Sequence, residues 1–201
     1  MKSYVYLHGF ASSPASSKAQ YFKSRFAEHN IALNIPELDG GDFEHLTLTG
    51  QLGVVERLLG GRSAVLLGSS MGGYLAALYA QQHVEVDRVV LLAPAFDFWT
   101  RWAESPGWQS GKLSLFHYGE KRQREVDFGL IEDARQYAGY PDFPQPALVL
   151  HGLRDDVVPV EYSRTFCASH ANAKLVEFDA GHELTNVLPQ MWALVEPFLF
   201  A

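Results

Sequence analysis

Short apolar runs alternate with amphipathic stretches along most of the chain. Six runs, mostly bounded by Gly, Pro or Asp, have the length and unbroken hydrophobicity of strands buried on both faces: 4–7, 31–35, 64–67, 89–92, 147–150 and 175–178. Segments with helical spacing of apolar residues lie between most of them, at 13–30, 45–59, 71–83, 160–170 and 189–200. Alternating strands and helices predict right-handed crossovers and a mainly parallel sheet with helices on both faces.

One interval breaks this alternation. Residues 97–145 separate two predicted strands, a connection far longer than a crossover needs, and they hold Trp99, Trp102 and Trp108, three of the four tryptophans. Within it, 113–130 fits a hairpin and 131–139 a helix. Loops of this length carry structure of their own or have a function. We therefore expect a single domain over 1–201 with a cap insertion at about 97–146, beside the C-terminal edge of the sheet.

Composition narrows the class of protein. The 201 residues are 47% hydrophobic and 19% charged, as in an ordinary globular protein with one core. A net charge of -7 argues against nucleic acid as a partner, because phosphate binding needs clustered Lys and Arg. The lone Cys167 has no disulfide partner and is predicted to be a buried structural thiol. The first apolar run stops at His8, too short for a signal peptide or a membrane span, so we predict a cytoplasmic protein.

The stretch "LLGSSMGG" places a serine at the junction of a predicted strand and helix. The motif GxSxG fits only with Ser70 at its centre, between Gly68 and Gly72, because Ser69 would need glycines at 67 and 71. A strand that turns directly into a helix strains the central residue and brings its second neighbours too close for side chains. The N-terminus of that helix presents unpaired N–H groups, so the N–H of Met71 can face a developing oxyanion. By itself the pentapeptide also fits a turn of small residues made for packing.

A serine hydroxyl needs an adjacent base, itself oriented by an acid. Both occur in that order along the chain. The segment "ALVLHGLRDDVVP" delivers Asp155 and Asp156 into the loop after a strand, and "LVEFDAGHEL" places His182 on a turn after the last strand. Asp97, which follows an earlier strand, is a further candidate acid.

Four segments in order resemble a known group along nearly the whole chain: "YLHGFASSPASSKA", "GSSMGGY", "HGLRDDVVP" and "AGHEL". They resemble the α/β-hydrolase superfamily and, within it, the small YqiA-type serine esterases. The resemblance implies Ser70 as nucleophile, His182 as base, and Asp155 as acid through the pattern HGxxDxxVP. It also implies an oxyanion hole formed by the N–H groups of Phe10 and Met71. Because the chain begins at the "YVYLHG" strand, it implies a minimal hydrolase sheet of about six strands that lacks the first two of the full sheet.

The residues and the resemblance together predict a serine hydrolase that cleaves small to medium carboxylic esters or thioesters through an acyl-enzyme, without a cofactor. The aromatic residues Trp99, Trp102, Trp108, Phe116 and Tyr118 either pack the cap or line an apolar substrate pocket. Two alternatives stay open. The scaffold could bind a ligand without turning it over, or it could hydrolyse another bond, such as a peptide or carbon–carbon bond.

Two further histidines, His8 and His151, each precede a glycine at the end of a strand. We expect His8 to shape the oxyanion loop and His151 to hydrogen-bond the loop that carries Asp155. The chain has eight histidines but neither an HExxH motif nor a Cys/His cluster. A catalytic metal is therefore not expected.

Overall fold

The computed structural model describes residues 2–105, 107–108 and 111–200. Within them the strands are β1 (Ser3–Leu7), β2 (Leu33–Asn34), β3 (Ala64–Ser69), β4 (Val86–Leu92), β5 (Lys112–His117), β6 (Arg122–Asp127), β7 (Ala147–Gly152) and β8 (Ala173–Phe178). The helices are α1 (Ser17–Glu28), α2 (Leu48–Leu59), α3 (Met71–Gln82), α4 (Phe98–Ala103), α5 (Gly129–Ala134), α6 (Glu161–Ser169) and α7 (Leu188–Phe200). A 3₁₀ turn at Thr185–Val187 precedes α7.

Six of these strands form one sheet in the order β2-β1-β3-β4-β7-β8. Every pairing in it is parallel. Each of the six predicted apolar runs contributes one of these strands, and helices cover both faces, which confirms the predicted minimal α/β-hydrolase fold. Parallel order places the C-terminal ends of all six strands at one edge, where the loops after β1, β3, β7 and β8 meet.

The core has two layers because successive side chains of a strand point to opposite faces. On β3, Leu66 packs with the side chains of α2, α3 and α6, whereas Val65 and Leu67 pack with α1 and α7. The α1–α7 layer is rich in aromatic contacts, including Phe26 against Trp192, with ring centroids 5.8 Å apart. The central strands β3 and β7 are buried along their whole length, as the unbroken apolar runs predicted.

The two edge strands differ from the prediction. β2 is only two residues long, and β8 is partly exposed along its length rather than buried on both faces. An edge strand has a sheet neighbour on one side only, so it receives less cover than a central strand does.

Residues 97–146 contain α4, the antiparallel β5–β6 hairpin and α5. The hairpin lies where the sequence predicted one. The helix predicted at 131–139 is instead the shorter α5, which begins two residues earlier and ends at Ala134.

Cys167 lies on α6 and is half-buried rather than fully buried. Burial raises the pKa of its thiol to about 11, so it stays protonated and unreactive at neutral pH. In the part of the chain that the structure describes, no helix is both long and apolar enough to cross a membrane.

Gly152, at the end of β7, provides a test of the packing at this edge. A Cβ on Gly152 would lie 2.4 Å from the carbonyl oxygen of Ala180 and 2.7 Å from that of Gly181, both on the loop after β8. We expect Gly152→Ala to lower the free energy of unfolding by about 2 kcal/mol or more, because two backbone segments would have to separate. Urea unfolding followed by tryptophan fluorescence measures the change.

Gly129→Ala is the matched control, because a Cβ at the start of α5 meets no atom within 4 Å. Its free energy of unfolding should stay the same or rise slightly, since alanine favours a helix over glycine. Equal unfolding midpoints for Gly152→Ala and the wild type would contradict the close approach of the two loops.

Candidate active site

Ser70 lies in a strained turn between β3 and α3. Its backbone angles, φ 55° and ψ -120°, fall in a region that non-glycine residues seldom occupy. Four hydrogen bonds hold this conformation. The Ser70 N–H donates to the carbonyl of Leu92 (2.8 Å), and the Ser70 carbonyl accepts from the N–H groups of Gly73, Tyr74 and Ala95 (2.9, 3.1 and 3.0 Å).

The flanking glycines are required by close backbone contacts. A Cβ on Gly68 would lie 2.1 Å from the carbonyl oxygen of Gly72. A Cβ on Gly72 would lie 2.2 Å from the carbonyl oxygen of Leu7 and 2.4 Å from that of His8. The steric reason inferred from the motif is therefore present in the structure, and the turn is packed directly against the end of β1.

Asp155 lies in the loop after β7, and its carboxylate is fully buried. Oδ1 accepts hydrogen bonds from the N–H groups of Val157 (2.9 Å) and Val158 (2.7 Å). Oδ2 lies 2.8 Å from Nδ1 of His182 and 3.1 Å from Nε2 of His151. Since a carboxylate only accepts, His182 carries a proton on Nδ1, and its Nε2 is left as an acceptor.

These contacts keep Asp155 ionised. Burial by itself would raise the pKa of the Asp155 carboxyl group, but the hydrogen bonds from His151, His182 and the Val158 N–H lower that pKa well below its usual range. The acceptor for His182 is therefore a carboxylate throughout the neutral pH range.

His151 hydrogen-bonds the loop that carries Asp155, as the sequence predicted. Its ring is completely buried, with Nε2 2.8 Å from the carbonyl oxygen of Val158 and Nδ1 2.7 Å from the hydroxyl of Ser163. A proton on Nε2 can be shared between that carbonyl and the carboxylate of Asp155, while the Ser163 hydroxyl donates to Nδ1. The ring thereby fixes the acid loop against α6.

The other candidate acids lie elsewhere. Asp156 is exposed to solvent. Asp97 precedes α4, and its Oδ1 accepts a hydrogen bond from the hydroxyl of Thr100 (2.6 Å). Among the described residues, only Asp155 makes a hydrogen bond or ion pair with the imidazole ring of His182.

Ser70 and His182 both follow strands at the C-terminal edge of the sheet, after β3 and β8. The described residues contain no hydrogen bond between Ser70 Oγ and His182 Nε2. In enzymes without bound substrate, such contacts are often long and tighten only in the complex. The structure thus joins two of the three predicted groups directly and places the third at the same edge.

The loop after β1 contacts the serine. A Cβ on Gly9 would lie 3.4 Å from the Cβ of Ser70. The ring of Phe10, the next residue, packs against Phe43 and Trp102, with centroids 5.4 and 5.0 Å apart. Met71 is the first residue of α3, and the first N–H groups of a helix have no partner within the helix.

The β5–β6 hairpin braces this same loop, a contact that sequence reasoning missed. The N–H of Tyr118 donates to the carbonyl of Ala11 (2.8 Å), and a Cβ on Gly119 would lie 2.6 Å from the Cβ of Ser13. No local sequence pattern predicts a contact between segments that lie about a hundred residues apart in the chain. Ala11 has φ 52°, so the brace supports a second strained turn.

The predicted substrate-contacting aromatics have different environments. Trp99 and Trp108 are 8% and 3% exposed and pack within the core. Trp102 is half-buried and lies between Phe10 and Trp108. Phe116 is 42% exposed on the hairpin.

Lys18 is a residue of the site that sequence reasoning also missed. It lies in the first turn of α1, is only 9% exposed, and its Nζ is 3.5 Å from the carbonyl oxygen of His182, at the upper limit for a hydrogen bond. Burial lowers the pKa of this ammonium, while the negative charges of Glu183 and Asp155 partly oppose the shift. The only sequence feature that could have indicated this role is the position of the lysine, shortly after the "HGF" segment in the chain.

Replacing Lys18 by methionine should raise the midpoint of thermal unfolding at neutral pH, because the cost of burying a charge disappears. The folded-state pKa lies below the unfolded value of about 10.4, so this cost is complete at pH values below the folded pKa. As the pH rises through the folded pKa, the wild type loses the charge and recovers stability, and the difference between the two proteins should shrink.

Lys23→Met on the exposed side of the same helix is the control and should show no such pH-dependent difference. A Lys18→Met protein that is less stable than the wild type by the same amount at every pH would contradict the expected burial cost. Thermal unfolding by circular dichroism between neutral pH and about pH 10 measures both variants.

Comparison with known proteins identifies relatives of this fold. One solved structure, Est1E from Butyrivibrio proteoclasticus with ferulic acid bound, superposes with a TM-score of 0.86 at 20% identity, over 99% of this chain and 88% of that one. Mouse alpha/beta hydrolase domain-containing protein 10 gives 0.80 at 17% identity over 98% and 90%. The monoacylglycerol lipase of Paleococcus ferrophilus gives 0.73 at 18% identity over 98% and 93%.

At identities of 17–20%, this likeness shows a shared fold and nothing further. A family model matches the sequence over residues 3–199, nearly its whole length. The chain therefore has the α/β-hydrolase fold, and it belongs to the family described as "Uncharacterised protein family (UPF0227)".

Proposed function

We propose that this protein is a serine hydrolase that cleaves carboxylic esters or thioesters through an acyl-enzyme formed on Ser70. The observation that carries the proposal is the 2.8 Å contact between the buried Asp155 carboxylate and Nδ1 of His182, at the sheet edge where the strained Ser70 turn also lies. A strained serine costs stability, and both strained residues and carboxyl groups with strongly shifted pKa values concentrate at catalytic sites.

Each side chain has one role in the proposed reaction. Ser70 Oγ attacks the carbonyl carbon while Nε2 of His182 takes its proton. Asp155 fixes the tautomer of His182 and stabilises the imidazolium that forms. His182 then gives the proton to the leaving alcohol or thiol, and water repeats the sequence on the acyl-enzyme to regenerate Ser70.

The negative charge that develops on the carbonyl oxygen is assigned to the N–H groups of Phe10 and Met71. Met71 begins α3, so its N–H has no helical partner, and the Phe10 loop contacts the side of Ser70 through Gly9. Each such donor contributes about 3–4 kcal/mol to transition-state stabilisation in enzymes of this kind.

The substrate class rests on the aromatic surroundings and on the structural relatives. Trp102 beside Phe10 and the exposed Phe116 are proposed to contact an apolar part of the substrate, with Trp99 and Trp108 packed beneath them. One relative holds ferulic acid and another is a monoacylglycerol lipase. Residues 97–146 are proposed to act as a cap, since their hairpin contacts the oxyanion loop at Ala11.

Ser70→Ala should lower kcat/KM for short 4-nitrophenyl esters by about ten-thousandfold or more, because the nucleophile is removed while the fold is kept. Initial rates on esters from acetate to palmitate, with acyl-CoA thioesters in parallel, measure the loss. A fluorophosphonate probe should label the wild type, with protection by substrate, and should leave Ser70→Ala unlabelled.

Ser69→Ala is the matched control one residue away. Ser69 is 3% exposed at the end of β3, and its loss should leave most of the turnover. Equal rates for Ser70→Ala and the wild type would refute the nucleophile. A wild type that no probe labels would favour a ligand-binding protein without turnover.

Asp155→Asn should reduce kcat by about a thousandfold or more, since an amide cannot hold His182 in the required tautomer or stabilise its charged form. Asp156→Asn, on an exposed carboxyl in the same loop, should change kcat little. Steady-state kinetics on one good ester compares the two, and the reverse ranking would move the acid by one residue.

A further inference from the structure

A small pocket is lined partly by the loop after β1, the same loop that lies next to Ser70. Its lining includes Gly9 and Phe10 of that loop, together with His8, Asp39, Gln51 and His117. Its free volume is about 10 Å³, room for one group the size of water. Gly9 lies next to Ser70, since a Cβ on Gly9 would be 3.4 Å from the Cβ of Ser70, and it also lines this pocket.

Two buried polar atoms on lining residues of this pocket lack partners. His8 is 7% exposed and Gln51 is 5% exposed, and neither Nε2 of His8 nor Oε1 of Gln51 has a hydrogen-bond partner among the described residues. Buried polar atoms are nearly always hydrogen-bonded, because an unpaired one costs free energy. The pocket is therefore suited to a ligand group that pairs with them.

The contacts of the two histidines fix their hydrogen-bonding character. Nδ1 of His8 lies 3.0 Å from the carbonyl oxygen of Gly9, which can only accept, so the proton is on Nδ1 and Nε2 is an acceptor. Nδ1 of His117 accepts from the N–H of Glu120 (3.1 Å), so the proton of His117 is on Nε2, a donor. Burial lowers the pKa of both rings, which keeps them neutral.

The lining thus combines acceptors, on His8, Gln51 and Asp39, with donors, on the His117 ring, the Gln51 amide and the Ser12 hydroxyl. A hydroxyl group both donates and accepts, so it matches this set. An ammonium only donates, and a carboxylate only accepts and would face Asp39. A metal ion does not fit, because no three His, Cys, Asp or Glu side chains among the described residues are placed to hold one.

We propose that this pocket binds a hydroxyl group on the acyl part of the substrate, close to the carbonyl, so that the enzyme prefers hydroxyacyl esters. The proposal rests on the proposed hydrolase function and names its substrate class. The acyl side follows from the shared loop, since the residue assigned to the carbonyl oxygen, Phe10, also lines the pocket.

The kinetic test compares 4-nitrophenyl esters of butyrate, 2-hydroxybutyrate and 3-hydroxybutyrate. The wild type should show kcat/KM about three- to tenfold higher for one hydroxylated ester than for butyrate, the value of one added hydrogen-bonded group. Gln51→Leu should bring that ratio close to one. Gln81→Leu, on an exposed position of α3, should keep the wild-type ratio. Each ratio is taken within one preparation, so the fraction of folded protein cancels.

A wild-type ratio near one for both hydroxylated esters, with butyrate hydrolysed normally, would overturn the pocket assignment and leave the hydrolase intact. A preference for glyceryl monobutyrate over propyl butyrate, without one for the hydroxyacyl esters, would overturn the acyl side of the assignment.

Binding to the Ser70→Ala protein tests the pocket without turnover. Methyl 3-hydroxybutyrate should shift the ring NMR signals of His8 and His117, methyl butyrate should leave them in place, and Gln51→Leu should abolish the shift. Rings that respond equally to both esters would overturn the proposal. If the wild type hydrolyses no ester, this measurement still decides whether the pocket selects a hydroxyl group.

Discussion

The buried negative charge of Asp155 is the interaction on which the arrangement of this edge depends. A carboxylate without access to water is tolerated only when its oxygens are hydrogen-bonded. Here the donors come from two loops and one strand: the N–H groups of Val157 and Val158, the ring of His151 on β7, and the ring of His182 after β8. These hydrogen bonds therefore fix the loop after β7 and the loop after β8 relative to each other.

Two of the strained residues at this edge, Ser70 and Ala11, are supported in different ways. Ser70 is held by backbone hydrogen bonds to β4, to the first turn of α3 and to Ala95 in the loop directly after β4. Ala11 is held from outside by the N–H of Tyr118 on the β5–β6 hairpin. Strain at Ser70 is thus supported by the local geometry of a strand followed by a helix, whereas strain in the loop after β1 depends on the insertion.

This difference explains what the sequence could predict. The six parallel strands follow from unbroken apolar runs, and the Ser70 frame follows from glycines whose need is steric and local. From the residues alone the acid partner of His182 is open between Asp155, Asp156 and Asp97, and the family pattern favours Asp155. Local rules locate strand ends, and parallel order brings those ends together, which is why three distant motifs could be assigned to one edge.

The missed features all depend on contacts between segments far apart in the chain. In the sequence, Lys18 resembles any lysine of a surface helix. Only the fold shows that its Nζ lies 3.5 Å from the carbonyl oxygen of His182. The reduced cover of β8 follows from its place at the sheet edge, which composition does not encode. His8 was expected to shape the loop after β1, and its Nδ1 contact with Gly9 agrees with that role. Only the fold shows that its Nε2 is buried without a partner among the described residues and that Gln51 lines the same pocket.

The β5–β6 hairpin contacts both the loop after β1 and the small pocket. Its Tyr118 N–H donates to Ala11 in the loop after β1, and it supplies His117 to the pocket that this loop lines. A change in the insertion would therefore alter both the position of the Phe10 N–H and the group that the pocket accepts. Under the proposed mechanism, loops that follow the sheet strands supply the nucleophile, acid and base, while the pocket lined by His8, Gln51 and His117 selects the acyl group. Because the insertion supplies only His117 and the support at Ala11, changes in it can alter substrate preference without disturbing the Asp155–His182 pair.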